Sequence, residues 1–327
     1  MKIVICRGSA FGGYPSEEQL QTYWKELLAG VPDLQITMRG GFNSAQADEI
    51  AGDNEALIGA WIGDDVFTAS FFDRHPNLKY VSTYAHGFGR FDHEAAAAHG
   101  VTFTNTVYGD ETIAEFAMSL LLSICHHPEM EAAYYHDELA KGRTLQSLKT
   151  RQIELYEKTM GIIGLGRIGL RMAEMAHAFG MNVIAYNHHE KKGPAYDIVK
   201  QVSFDELLST SDVISIHVPL NEGTRRMINA DTISRMKDGV ILINTARGGI
   251  IDGSALVEAL HSGKVYAAGL DVVDGEPRHD LSPVFACDNA LITGHIAWTP
   301  PEASFRSVRI AYENFINWMN HHPTSTI

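Results

Sequence analysis

Thr159-Met-Gly-Ile-Ile-Gly164-Leu-Gly166-Arg167-Ile168-Gly169 is the stretch on which the fold turns. A short apolar run, Met160 to Ile163, meets three glycines spaced G-x-G-x-x-G and then a helical pattern from Ile168 to Phe179. In a strand-turn-helix unit the first glycine permits the tight turn, the second lets backbone approach a pyrophosphate, and the third lets helix and strand pack closely. The helix N-terminus adds N–H groups without helical partners and the positive end of its dipole. A further β-rich run, Val183 to Tyr186, completes the unit, so the turn reads as a dinucleotide site rather than as packing alone.

The end of that second run calls for an Asp or Glu on the ribose hydroxyls, and this chain has Asn187, followed by His188, His189, Glu190, Lys191 and Lys192. An amide can still hydrogen-bond a ribose. It does not repel a 2′-phosphate, and the neighbouring bases can attract one, so NAD and NADP are both open as the cofactor.

Working outward, short apolar runs recur at Lys2 to Cys6, Ala56 to Ile62, Leu78 to Ser82, Asn182 to Tyr186, Val213 to His217, Val240 to Asn244 and Tyr266 to Leu270. Their alternation with helical patterns predicts parallel sheets with crossover helices. Glu111 to Ile124, apolar nearly all round, predicts a buried helix at the join of two α/β units. Leu145 to Glu157 turns polar before the second unit, and Pro300 to Met319 carries Phe305, Val308, Ala311, Tyr312, Phe315 and Met319 at helical spacing.

At 327 residues the chain suggests two domains. With 26 Lys+Arg against 40 Asp+Glu the net charge is −14, which speaks against nucleic acid or an anionic membrane surface as partner. No apolar run is long enough to span a bilayer, and MKIVICRGSAFGG reads as a first strand rather than a signal peptide. Cys6, Cys125 and Cys287 stand apart with no CxxC, which fits a reducing cytoplasm and suggests neither disulfides nor a thiolate metal site. The pairs His126-His127, His188-His189 and His321-His322 sit in no metal-binding frame, so no metal is expected.

Three later motifs carry chemistry: Asn244-Thr-Ala-Arg247-Gly-Gly, Leu270-Asp271-Val-Val-Asp-Gly-Glu276-Pro277, and Thr293-Gly-His295-Ile-Ala-Trp298. With Thr112-Ile-Ala-Glu115, the glycine turn and Val213-Ile-Ser-Ile-His217-Val-Pro219-Leu, essentially the whole chain resembles the D-isomer-specific 2-hydroxyacid dehydrogenases, NAD(P)-dependent enzymes. Reduction of a 2-keto acid needs a cation to hold the carboxylate and polarise the carbonyl, and an acid to protonate the oxygen. Arg247 suits the first task with its bidentate fork, and His295 suits the second because it cycles its proton near neutral pH. Glu276 can pair with His295, fix its tautomer and favour the protonated form.

By the same resemblance, the backbone of His86 and Gly87 holds the substrate carboxylate, although Ala85 replaces the usual earlier glycine and Gly89-Arg90 the usual Asp-Asn pair. Arg167 and Ile168 lie beside the pyrophosphate, and Val218, Pro219 and Thr224 along the adenosine. Thr245, Ala246 and Asp271 lie near the nicotinamide, with Asp271 accepting from its carboxamide and Thr112 a further cofactor candidate; Arg247 and His295 also border the cofactor. Trp298, Phe11 and Tyr14 read equally as core aromatics or as lining of the side-chain pocket.

The fold class implied is two doubly wound parallel-sheet α/β domains. A flavodoxin-like substrate domain would take residues 1–104 plus 298–327, and a Rossmann nucleotide domain residues 105–297. A homodimer built through the nucleotide domain is implied as well. Two alternatives stand beside this reading. An NAD(H)-sensing binding protein of corepressor type can keep the same three residues but adds long disordered tails. Formate dehydrogenase has a glutamine where Glu276 stands. A feedback-regulated phosphoglycerate dehydrogenase would carry an extra regulatory domain. The 2-keto acid itself is not legible.

Overall fold

A computed structural model describes residues 1–63, 65–144, 146–275 and 282–327. The chain forms two compact units, Met1–Gly109 with Thr299–Ile327, and Asp110–Trp298.

In the first unit, strands β1 (Lys2–Cys6), β2 (Gln35–Arg39), β3 (Ala56–Ile58), β4 (Tyr80–Ser82) and β5 (Thr102–Thr104) form a parallel sheet in the order β2-β1-β3-β4-β5. Because successive side chains of a strand point to opposite faces, the apolar run of β1 feeds two cores. Ile3 and Ile5 pack with Ala56, Ile58, Tyr80, Leu20 and Trp24, while Val4 and Cys6 pack with Leu57, Val81, Phe67, Phe71 and Phe72. The first of these cores is completed by Val308, Ala311 and Phe315 of the terminal helix Pro301–Met319.

The second unit holds β6 (Thr159–Ile163), β7 (Asn182–Tyr186), β8 (Lys200–Gln201), β9 (Val213–Ile216), β10 (Val240–Asn244), β11 (Val265–Leu270) and β12 (Ala290–Ile292), all parallel. Their order is β12-β11-β10-β9-β6-β7-β8. Two-faced burial recurs here. Met160, Ile162, Ile241 and Ile243 meet Leu121 and Ile124 of the helix Asp110–His126, and Ile214, Ile216, Leu242 and Leu270 meet Leu207, Leu256 and Leu260 on the other side. That helix is less apolar than expected, since Glu111, Glu115 and Ser119 form an exposed stripe.

Both sheets confirm the doubly wound class. The run expected from Ala56 to Ile62 is a strand only to Ile58, because Gly59 turns the chain at φ 85°. Leu78 and His217 likewise fall just outside their strands.

Candidate active site

The glycine turn joins β6 to the helix Arg167–Ala178. Gly164 has φ 95°, and a Cβ there would fall 2.6 Å from the His217 carbonyl oxygen. A Cβ on Gly169 would fall 2.0 Å from the Gly164 carbonyl oxygen, so helix and turn touch backbone to backbone. Gly166 differs: a Cβ there would meet nothing within 4 Å. Gly166 is also the N-cap and supplies no side-chain cap, which leaves the first-turn N–H groups without a capping side chain, as an anion site requires.

Around the turn, Asn187 bridges. Its Oδ1 accepts from the Leu165 N–H at 2.9 Å and its Nδ2 donates to the His189 carbonyl at 2.7 Å, so the amide fixes the turn as well as ending β7. Arg167 donates to Asp110 Oδ2 through Nε at 2.9 Å and lies 2.8 Å away through Nη2, at the start of the helix that buries Thr112 in its first turn. Ile168 is half-buried beside it. After β9, Val218 and Pro219 lead into a loop closed by the Thr224 hydroxyl, which donates to the Pro219 carbonyl at 2.6 Å. His217, hydrogen-bonded to Ser215 Oγ at 2.8 Å, has its imidazole pKa pushed down to about 4 by burial.

Arg247, Asp271 and His295 follow the carboxyl ends of β10, β11 and β12, three neighbouring strands. Asn244 sets the first of these turns: its Oδ1 accepts from Ala246 N–H at 2.9 Å and its Nδ2 donates to the Arg247 carbonyl at 3.0 Å. Arg247 is exposed, donates through Nη1 to the Ala246 carbonyl at 2.7 Å, and is paired with no carboxylate among the described residues. Gly248 lets this turn close on the next, since a Cβ there would lie 2.0 Å from the Val273 carbonyl carbon. Thr245 contributes a buried hydroxyl with no hydrogen-bond partner among the described residues, an orphan of the kind a bound ligand satisfies. The open cradle at Gly166 and this orphaned hydroxyl both fit a dinucleotide.

The His295 loop hangs on Asp271. That carboxylate is fully buried; Oδ1 accepts from the Thr293 hydroxyl at 2.6 Å and the Ile296 N–H at 2.8 Å, and Oδ2 from the Ala297 N–H at 2.9 Å. The Asp271 carbonyl accepts the N–H of His295 itself at 2.8 Å. These bonds hold His295 in the left-handed region at φ 58°, where a non-glycine residue needs support from its surroundings. Trp298 adds another brace, its indole N–H donating to the His295 carbonyl at 2.8 Å. Glu276 lies outside the described residues.

In the first unit, the turn after β4 carries His86 and Gly87. Asn105 Nδ2 donates to the His86 carbonyl at 2.6 Å, and the Ala85 carbonyl accepts from Thr106 N–H at 3.3 Å. Phe11 and Tyr14 are exposed, which removes the core reading for both. Sequence reasoning passed over Asn244, whose only signal is an Asn placed directly before Thr-Ala-Arg at the end of a β-run.

The profile of the family described as D-isomer specific 2-hydroxyacid dehydrogenase, NAD binding domain, matches residues 119–297. A hydroxypyruvate reductase of Blautia hydrogenotrophica is 38% identical over 263 residues, 78% of this chain and 80% of that one. Among solved structures, TP0037 of Treponema pallidum, a D-lactate dehydrogenase, superposes with a TM-score of 0.80 at 28% identity, covering 100% of this chain and 99% of that one. An acyclic imino acid reductase in complex with NADPH and D-Arg superposes with a TM-score of 0.79 at 26% identity over 100% of both chains.

Proposed function

The chain belongs to the D-isomer specific 2-hydroxyacid dehydrogenase family, and from that premise we propose that it interconverts a 2-keto acid and the corresponding D-2-hydroxy acid. The observation that carries the reading is the Asp271 lock. It fixes the His295 loop two strands from the Arg247 turn, a separation of roughly 10 Å at the usual strand spacing, on the scale of a small substrate.

Bound nicotinamide coenzyme supplies the hydride in reduction and takes it in oxidation. Arg247 grips the substrate carboxylate and polarises the carbonyl, and in the first unit the N–H groups of His86 and Gly87 are the carboxylate donors that the family resemblance implies. His295 gives its proton to the carbonyl oxygen in reduction and recovers it in oxidation, with Glu276 as its partner. Gly164, Gly166, Gly169, Arg167 and Ile168 take the pyrophosphate, Val218, Pro219 and Thr224 the adenosine, and Thr245, Ala246 and Asp271 the nicotinamide half, with Thr112 a further cofactor contact. The unit Asp110–Trp298, in place of the expected 105–297, then forms the nucleotide domain, and Met1–Gly109 with Thr299–Ile327, in place of 1–104 with 298–327, the substrate domain.

Asn187 admits NAD and NADP alike, in keeping with the neighbour that holds NADPH. The three cysteines are free and buried, as suits a reducing cytoplasm. A homodimer through the nucleotide domain would cover the helix Pro128–Ala140, which buries none of its residues and exposes Met130, Tyr135 and Leu139. Beside it lies an apolar hollow of about 510 Å³ lined by Ile124, Met130, Tyr266 and Leu291.

The test is a panel of glyoxylate, hydroxypyruvate, pyruvate, branched 2-keto acids and phenylpyruvate, each with NADH and with NADPH, followed at the nicotinamide absorbance. Coenzyme oxidation with at least one keto acid, and a product of D configuration by chiral chromatography, is expected. No turnover across the panel and its dianionic extensions given below, by a folded protein that binds coenzyme, overturns the proposal.

A further inference from the structure

The carboxyl edge of the five-stranded sheet carries an arginine with no counter-charge among the described residues. Arg7 directly follows β1, and its guanidinium carbon lies 4.5 Å from the centroid of the Tyr84 ring. Its Nε is closed off from solvent with no hydrogen-bond partner among the described residues. Among the described residues the groups that face it are the phenols of Tyr84 and Tyr108, both held neutral because burial pushes their ionisation up. Burial likewise works against the charge of Arg7 itself.

The support beneath this guanidinium is built. Gly59, at the end of β3 with φ 85°, leaves room for the Tyr84 ring: a Cβ there would fall 2.3 Å from Tyr84 Cε2. The Trp24 indole N–H donates to Tyr84 Oη at 2.8 Å and fixes the ring. Two more buried hydroxyls on the same edge, Ser82 at the end of β4 and Thr106 shortly after β5, have no partner among the described residues. In doubly wound sheets ligands sit outside the carboxyl ends of the strands, and a desolvated, unpaired cation is costly unless something anionic completes it. Stacking on one ring orients the planar fork without satisfying its N–H donors.

We propose that Arg7 binds a second anionic group of the substrate, a carboxylate or phosphate on the side chain of the 2-keto acid, so that dianionic keto acids are the preferred class. The proposal rests on the keto-acid reading above, and the Ala85–Gly87 turn assigned to the first carboxylate begins at the residue after Tyr84.

The experiment compares matched pairs on the parent enzyme: oxaloacetate with 2-oxobutyrate, 2-oxoglutarate with 2-oxovalerate, and 3-phosphohydroxypyruvate with hydroxypyruvate. The dianionic member of at least one pair should win by about tenfold or more in kcat/KM, and which pair it is separates carboxylate from phosphate. Arg7→Met should lower kcat/KM for that substrate by about 100-fold, chiefly through KM, and leave its monoanionic partner within about threefold. Arg7→Lys, which keeps the charge and loses the fork, should fall between; it carries the test if Arg7→Met does not fold. Monoanionic members preferred in every pair, or both members weakened equally by the substitution, overturns the assignment. If the parent reduces no keto acid, the catalytic reading fails separately. Thermal stabilisation by oxaloacetate or 3-phosphohydroxypyruvate, abolished in the Arg7 variants, then decides for Arg7, and its absence decides against.

Discussion

Asp271→Asn keeps the shape of the group that locks the His295 loop and removes its capacity to accept on both sides. In its best orientation the amide carbonyl serves the Thr293 hydroxyl and the Ile296 N–H, and the amide NH₂ then faces the Ala297 N–H, donor against donor. One charge-assisted hydrogen bond is lost and one buried N–H is left without a partner, at a cost of about 2–3 kcal/mol. For a unit of this size that corresponds to a fall in Tm of roughly 5–10 °C. His295 loses its rigid seat, and a displacement on the order of 1 Å is worth up to about 100-fold in turnover. Differential scanning fluorimetry gives the first quantity and steady-state kinetics the second, with NADH affinity from fluorescence titration expected to stay within about threefold. Unchanged Tm and kcat, or a loss confined to coenzyme affinity, would refute the reasoning, the latter because it would place Asp271 on the coenzyme alone.

Arg247→Lys keeps the charge but not the bidentate fork, so kcat and keto-acid affinity should weaken together, by about tenfold or more in kcat/KM; parental kinetics would dismiss Arg247 as the carboxylate grip. Asn187→Asp keeps the acceptor for Leu165 N–H and adds a negative charge, so the ratio of kcat/KM with NADH to that with NADPH should rise about tenfold. A ratio equal to the parent's, or a parent that already excludes NADPH, counts against this. His217 stays unprotonated in the folded state down to about pH 4, whereas the unfolded chain takes up its proton near 6.5, so its contribution is complete above pH 6.5 and is lost as pH falls toward 4. The loss is at most about 3 kcal/mol over that window; melting curves from pH 7.5 to 5 should show a shallower decline for His217→Gln than for the parent, and parallel declines would show that other groups govern acid sensitivity.

The interior strands were legible because strands buried on both faces are written as unbroken apolar runs. The four strands that sequence reading did not find, Gln35–Arg39, Thr102–Thr104, Lys200–Gln201 and Ala290–Ile292, are the four edges of the two sheets. Each pairs with a single strand of its sheet, and each is short or largely exposed, so none needs an apolar run. In the site, the glycine turn was legible because residue type alone dictates backbone freedom. The Asp271 lock was not, because its three donors lie 22 to 26 residues away in sequence and meet it only in the folded sheet. Arg7 escaped for a related reason: the lack of a counter-charge among the described residues is a property of its surroundings, and nothing in RGSAFGG records it.

The split of the first unit into an opening stretch and a closing helix has a consequence for how the protein is made. A ribosome delivers Ile3, Ile5, Trp24 and Tyr80 long before Val308 and Phe315, the side chains that complete their core. The last residues follow later still: Thr326 bridges to Thr104, and Ile327 N–H donates to the Phe103 carbonyl along the edge of β5. Residues 110–298 are contiguous and can collapse as soon as they emerge, so the unit synthesised first is the one that finishes last. Until then one face of the five-stranded sheet is covered by Leu20, Trp24 and Leu28 and lacks Val308, Ala311 and Phe315, the side chains that close it.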